Sequence, residues 1–298
     1  MKYALFSLLL LSAFLSGCKQ NKSPELTLSP PVFPTVSESA QEQAQDGKES
    51  TEEPPLPTLV SETAPVTSPS ATPVPVNTDT TTFTYLVNRE YTLSEDFVPE
   101  GLMTPDILFP FSDTSIDKAK MVPAAAKALA ELFDAAFSEE KLVLYGVSAY
   151  RSYSRQYTIY ATNLARYGTE QTNQYSAAPG ASEHQTGLSI DISCRSEGFA
   201  LEDTFADTPE GIWVAQNAHR FGFIIRYPKD KEATTGYSYE PWHLRYVGTV
   251  LAATLYETGL TLDEYYGASC TLTKEYLDTT PFIDTTAERY LSIYRQYH

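Results

Sequence analysis

Twenty of the 21 tyrosines in this 298-residue chain lie beyond Phe83, and that asymmetry decides where a core can form. Residues 19–82 hold eleven of the twenty prolines, one glycine (Gly47) and one aromatic residue (Phe33), among many Ser, Thr and Glu. Nine acids against three lysines give this stretch a charge of 3 − 9 = −6. Such a composition buries too little apolar surface to offset chain entropy, which predicts a disordered stalk. As a flexible coil it spans on the order of 45 Å root-mean-square.

The stretch before the stalk reads as a targeting signal. Lys2 supplies a positive start, and Tyr3 to Phe14 is a nearly unbroken apolar run of twelve residues. That is too short to span a bilayer and fits a signal-peptide core. Leu15-Ser16-Gly17-Cys18 then resembles a bacterial lipobox, in which Cys18 receives lipid and becomes the first mature residue. The expectation is a lipoprotein signal over 1–17 and a lipidated Cys18 heading the stalk to 82. A diacylglycerol supplies two acyl chains, enough for stable anchoring outside the cytoplasmic membrane.

Charge and residue counts narrow the functional classes. The chain carries 21 Lys+Arg against 38 Asp+Glu, a balance of −17. A general nucleic-acid binder needs a basic face to neutralise phosphates, so no nucleic-acid partner is expected. Three cysteines exclude a disulfide-dense scaffold; four histidines exclude a His-rich metal store but leave room for one metal site.

Residues 83–266 read as one mixed domain. Pro123 followed by an Ala/Leu-rich run to Phe137 predicts a helix with proline at its first position. Leu142 to Ser148 reads as a strand. Ser152 can cap a helix that Gly168 ends. Leu188 to Ser193 alternates, with Leu188, Ile190 and Ile192 on one face and Ser189, Asp191 and Ser193 on the other. A helix from Thr208 to Gly222, strands at 223–227 and 242–247, and a helix over 249–257 complete the pattern. Interleaved elements without a tidy βαβ rhythm favour α+β, with a small antiparallel sheet and flanking helices. The tail, 267–298, carries a predicted helix over 287–297.

Three segments carry chemistry: Ser148 to Gln156 (SAYRSYSRQ), Ser182 to Asp191 (SEHQTGLSID) and Glu240 to Tyr246 (EPWHLRY). A catalytic zinc takes three N/O ligands and keeps an open position for water. His184 and Asp191 can supply two, and His243 the third. Glu240, three residues before His243, can act as general base without being a ligand. Arg151 offers a planar fork for a carboxylate or a developing oxyanion. His219 has no acidic partner at ligand spacing and reads as structural or exposed.

Taken together, Ser-x-His-x6-Asp with an intervening glycine, followed by Glu-x-x-His, resembles the zinc D-alanyl-D-alanine carboxypeptidases of the VanY type. The resemblance extends to Tyr150-Arg151-Ser152 with Gln156, Asn217 to Phe223 and Arg226-Tyr227-Pro228, over roughly residues 83–266. It implies a D,D-peptidase or Hedgehog-like fold and a zinc on His184, Asp191 and His243. It also implies Glu240 as base and Arg151 near the substrate, the peptidoglycan stem peptide cut at its C-terminal D-alanine. Gln156 and Ser182 are candidate substrate contacts, with Glu183 and Arg226 behind them. An L,D-carboxypeptidase trimming tetrapeptide stems is the nearest alternative, and a non-catalytic wall-binding module a more distant one. An anchored enzyme on a long tether agrees with a substrate in the cell wall. Cys194 and Cys270 are available to pair outside the cell.

Overall fold

The computed structural model describes residues 74–268. The predicted tail helix, Cys18 and Cys270 lie outside the described residues. A four-stranded antiparallel sheet organises the domain, in the order β1-β2-β4-β3. Its strands are β1 (Leu144–Ser148), β2 (Ser189–Cys194), β3 (Phe223–Tyr227) and β4 (Glu240–Tyr246). The helices are α1 (Pro123–Glu140), α2 (Tyr153–Tyr175), α3 (Pro209–Asn217), α4 (Glu232–Thr235), α5 (Thr249–Thr258) and α6 (Leu262–Tyr265). The α+β class read from the sequence is the one found.

Local chemistry explains most of these boundaries. Pro123 opens α1, where its missing N–H costs no helical bond. The Ser152 side chain accepts from Arg155 N, capping α2. Gly168 (φ 77°, ψ 173°) breaks the helical path, and the helix resumes beyond it to Tyr175. The predicted end at Gly168 is therefore a kink. Thr208 caps α3 through Gly211 N, and Gly222 closes the following turn in the left-handed region. Among the described residues, no helix is long and apolar enough to cross a membrane.

Strand alternation sorts the two faces of the sheet. Ile190, Ile192, Leu244 and Phe223 pack with Leu129, Leu132 and Phe133 of α1 in the main core. Burying each such side chain stabilises the fold by about 1.5–3 kcal/mol. A second core gathers Leu251, Ala252 and Leu255 of α5 with Leu86, Leu262 and Tyr266. The opposite face of β2, predicted to be polar, is as deeply buried as the apolar one: Ser189, Asp191 and Ser193 are all enclosed. Cys194 is buried in the main core and has no disulfide partner among the described residues.

The fold starts earlier than composition indicates. Val76 packs against the second core. The Asn77 side chain donates to Thr82 Oγ1 (2.9 Å) and Thr84 Oγ1 (2.8 Å), and its carbonyl accepts from Leu86 N at 2.8 Å. Residues 76–82, placed in the stalk on composition, therefore belong to the domain. Polar Thr and Asn residues hold this turn through side-chain bonds, which a search for apolar patterning does not detect. A chain beginning at residue 74 should be more stable than one beginning at 83 by about 1–3 kcal/mol. Thermal melts should separate the two by roughly 3–10 °C. Equal melting temperatures would place 76–82 outside the fold.

Candidate metal centre

The register of β2 against β4 builds the centre. Asp191 lies directly opposite His243, with Ile190 opposite Leu244 and Ser189 opposite Arg245. Alternation sends Ile190 and Leu244 into the main core, and their neighbours Asp191 and His243 to the other face. His243 Nδ1 lies 3.1 Å from Asp191 Oδ1.

His184 arrives from a short 3₁₀ turn, Glu183–Thr186, that precedes β2. Gly187 closes that turn with φ 67°. The positive φ calls for glycine here, and a Cβ would also press on the tip of Leu102, 2.9 Å from its Cδ2. The turn is tied to the end of β1. His184 Nδ1 donates to the Ala149 carbonyl at 2.7 Å, and Arg151 N donates to the His184 carbonyl at 3.2 Å. Because a carbonyl only accepts, the proton sits on Nδ1. The lone pair of Nε2 is therefore turned inward, 3.3 Å from Asp191 Oδ2.

Donor atoms of His184, Asp191 and His243 lie within 4.8 Å of one another, and all three residues are buried. Two imidazoles and one carboxylate form an N/N/O donor set suited to zinc. Burial and then the Arg151 charge lower the pKa of His184, keeping its imidazole neutral. Burial acts to raise the Asp191 carboxyl, but the two histidines hold it well below the carboxylate range. Burial acts to lower His243, but Asp191 and Glu183 push it up to about 9. A cation held by the three donors would take the place of the proton between His243 and Asp191.

Glu240 stands beside the three donors, its Oε2 3.6 Å from His243 Nδ1. Residues three apart in a regular strand face opposite sides. Here the pairing of β3 with β4 shifts: Ile225 faces Leu244 but Tyr227 faces Glu240. A step of four residues along β4 thus matches a step of two along β3, and this irregularity brings Glu240 and His243 together. Burial pushes the Glu240 carboxyl up to about 8, against the opposing charge of His243.

Arg151 Nη2 lies 3.7 Å from Asp191 Oδ2, with its side chain a fifth exposed, where it can meet a ligand. Its Nη1 donates to Gln156 Oε1 at 2.8 Å, and its Nη2 to Ser148 Oγ at 3.3 Å. Gln156 in turn donates from Nε2 to the Ala177 carbonyl at 2.6 Å and is buried. Both ends of Gln156 are engaged, and through Oε1 it orients Arg151. Ser182 is buried at the start of the His184 turn, where its side chain makes no capping bond.

Glu183 and Arg226 are corrected, since both are wholly enclosed beneath the centre. Arg245 and Asp263 join them there, and sequence reasoning misses both. The alternation of β4 places Arg245 on the same face as His243 and could have flagged it; Asp263 has no local signal. His219 is stacked on Tyr256 with ring centroids 3.7 Å apart, in keeping with a structural role.

This geometry has known counterparts. Residues 118–249 match the family model described as VanY, D-alanyl-D-alanine carboxypeptidase. YodJ of Bacillus subtilis, a carboxypeptidase candidate, is 48% identical over 181 residues, covering 61% of this chain and 66% of YodJ, just under two thirds of that protein. The bifunctional D-Ala-D-Ala dipeptidase and D-Ala-D-Ala carboxypeptidase VanXYC of Enterococcus gallinarum is 35% identical over 187 residues, 61% of this chain and 92% of that protein. Among solved structures, the LdcB LD-carboxypeptidase is 46% identical with a TM-score of 0.59, over 63% of this chain and 87% of that one. The donor geometry, the matched motifs and these relatives agree: the chain belongs to the VanY family of D-alanyl-D-alanine carboxypeptidases.

Proposed function

We propose that this chain is a zinc-dependent carboxypeptidase that releases the C-terminal D-alanine of peptidoglycan stem peptides. The observation that carries the reading is the convergence of three buried donors with Glu240 and Arg151. His184, Asp191 and His243 hold the metal. When bound, zinc supplies Lewis acidity to the scissile carbonyl and to the attacking water.

Glu240 takes the proton of that water and returns it to the amine of the departing alanine. Burial holds the Glu240 carboxyl up to about 8 without a metal; the positive charge of a metal on the neighbouring donors would lower it, favouring the ionised form that accepts a proton. Arg151 offsets negative charge, either on the developing oxyanion or on the terminal carboxylate that defines a carboxypeptidase substrate. Gln156 and Ser148 fix the plane of its guanidinium. Ser182 is retained as a candidate contact to the peptide.

Two bonds fit this chemistry. In one, alanine is joined to another D-residue; in the other, to the L-centre of a tetrapeptide stem. The 46% identity to an LD-carboxypeptidase, against 35–40% to the D-Ala-D-Ala enzymes, favours the L,D bond. Released D-alanine should be measured on synthetic tetrapeptide and pentapeptide stems side by side. The tetrapeptide is expected to be cut faster. Preference for the pentapeptide would restore the D,D reading, and turnover of neither would overturn both. Glu240→Gln keeps the size of the side chain but cannot accept the proton, so turnover should fall about 10²–10⁴-fold. Zinc content should stay near one equivalent; loss of the metal would make Glu240 a ligand.

The lipobox-like Leu15-Ser16-Gly17-Cys18 supports a lipid anchor outside the cytoplasmic membrane, with the wall as the neighbouring partner. Expressed in a bacterium that processes lipoproteins, the full chain should sediment with membranes, and Cys18→Ala should move it to the soluble fraction. Unchanged partition would exclude the anchor.

A further inference from the structure

Beneath the centre lies a buried chain of four charges that the proposed reaction does not use. Asp263 Oδ2 accepts from Arg226 Nη1 at 2.6 Å. Arg226 Nε and Arg245 Nη1 both donate to Glu183 Oε1, each at 2.8 Å. All four side chains are fully enclosed, and two carboxylates balance two guanidiniums. The outer ends are also satisfied. Asn88 donates to Asp263 Oδ1 at 3.0 Å, and Arg245 Nη2 donates to the carbonyls of Tyr85 (2.8 Å) and Phe83 (3.1 Å).

The second oxygen of Glu183 is the one turned toward the metal centre. With both guanidiniums on Oε1, Oε2 receives only the Ser189 hydroxyl at 3.3 Å. It lies 3.7 Å from His243 Nε2, a buried nitrogen without a hydrogen-bond partner. The opposite nitrogen of the same ring, Nδ1, faces Asp191. An anionic oxygen stabilises an N–H pointed at it and repels a lone pair. At His243 both nitrogens face such an oxygen, Nδ1 that of Asp191 at 3.1 Å and Nε2 that of Glu183 at 3.7 Å; with Nδ1 given to a metal, the proton that remains is on Nε2, facing Glu183.

We infer that Glu183 is a positioning residue: its Oε2 faces the Nε2 edge of His243 and holds the ring in the orientation that presents Nδ1 to the metal. Through their bonds to Oε1 the two arginines keep Glu183 immobile beneath the ring. Ligating histidines commonly direct their second nitrogen to a carboxylate or carbonyl, and loss of such a partner typically lowers metal affinity about 10–100-fold. Here His184 uses the Ala149 carbonyl and His243 uses Glu183. The inference rests on the three-donor metal reading.

Glu183→Gln tests it against Asp263→Asn. Both substitutions remove one negative charge from the same buried quartet, but only the first faces His243. The amide that Glu183→Gln introduces retains an oxygen for the arginines and turns its NH₂ toward Nε2, which removes the anionic acceptor from that edge of the ring. Zinc affinity should be measured by competition with a chromophoric chelator, and the stability of each metal-free protein by thermal melting. Both variants should melt lower than wild type. Only Glu183→Gln should lose zinc affinity, by about 10–100-fold. Wild-type affinity in Glu183→Gln, or an equal fall in Asp263→Asn, would overturn the inference. Failure of the wild-type protein to take up zinc would overturn the metal reading itself. If Glu183→Gln does not fold, long-range ¹H–¹⁵N spectra of histidine-labelled, zinc-loaded wild type decide the matter. His243 should carry its proton on Nε2; a proton on Nδ1 would overturn the inference.

Discussion

The pairing of Asp191 with His243 across β2 and β4 is the interaction on which the rest depends. It brings a carboxylate and an imidazole together with no loop to adjust, because strand register is set by what the other face buries. Ile190 and Leu244, one residue along each strand, are both fully buried in the main core. A one-residue slip would send Asp191 into that apolar core and Ile190 among the buried polar groups of the other face, a penalty on both counts. The apolar packing of one face thus fixes the donor geometry of the other. The remaining groups are added by less regular means: a glycine-closed turn for His184, a pairing irregularity for Glu240, and a side-chain chain through Gln156 for Arg151.

The floor of the centre is electrostatic where most domain interiors are apolar. Glu183, Arg226, Arg245 and Asp263 are all fully enclosed. Desolvating four charges is costly, and their mutual attraction recovers that cost only when geometry is good and the remaining donors are bonded. Here most of them are. Loss of one member from such an assembly typically costs about 3–5 kcal/mol. The same network reaches outward: Arg245 holds the carbonyls of Phe83 and Tyr85, close to where the domain begins. The start of the fold and the back of the metal centre are therefore joined through a single guanidinium.

What is legible from sequence follows a physical pattern. Helix α1, strands β2 and β3, and the His184, Asp191 and His243 set are readable because each rests on local spacing: proline at a helix start, period-two alternation, or two short motifs, His184 with Asp191 and Glu240 with His243, 52 residues apart at Asp191 and His243. The reading fails where partners are distant or both faces are buried. The anchoring of Gln156 goes unread because its partner Ala177 lies 21 residues away. Glu183 and Arg226 read as substrate-facing candidates because charge alone does not reveal burial. Asp263 sits 37 residues beyond Arg226 and meets the network only through tertiary packing. The segment 76–82 reads as stalk since its contacts are hydrogen bonds among Asn and Thr, invisible to hydropathy.

The ligand set is tested most directly by X-ray absorption at the zinc edge on the zinc-loaded protein. One zinc per chain is expected, bound only by nitrogen and oxygen at about 2.0–2.2 Å, with more distant scattering from two imidazoles. Replacing His243 with Ala should remove one imidazole contribution and weaken binding. A sulfur ligand near 2.3 Å, or a spectrum unchanged by loss of His243, would contradict the assignment of His184, Asp191 and His243 as the metal's ligands.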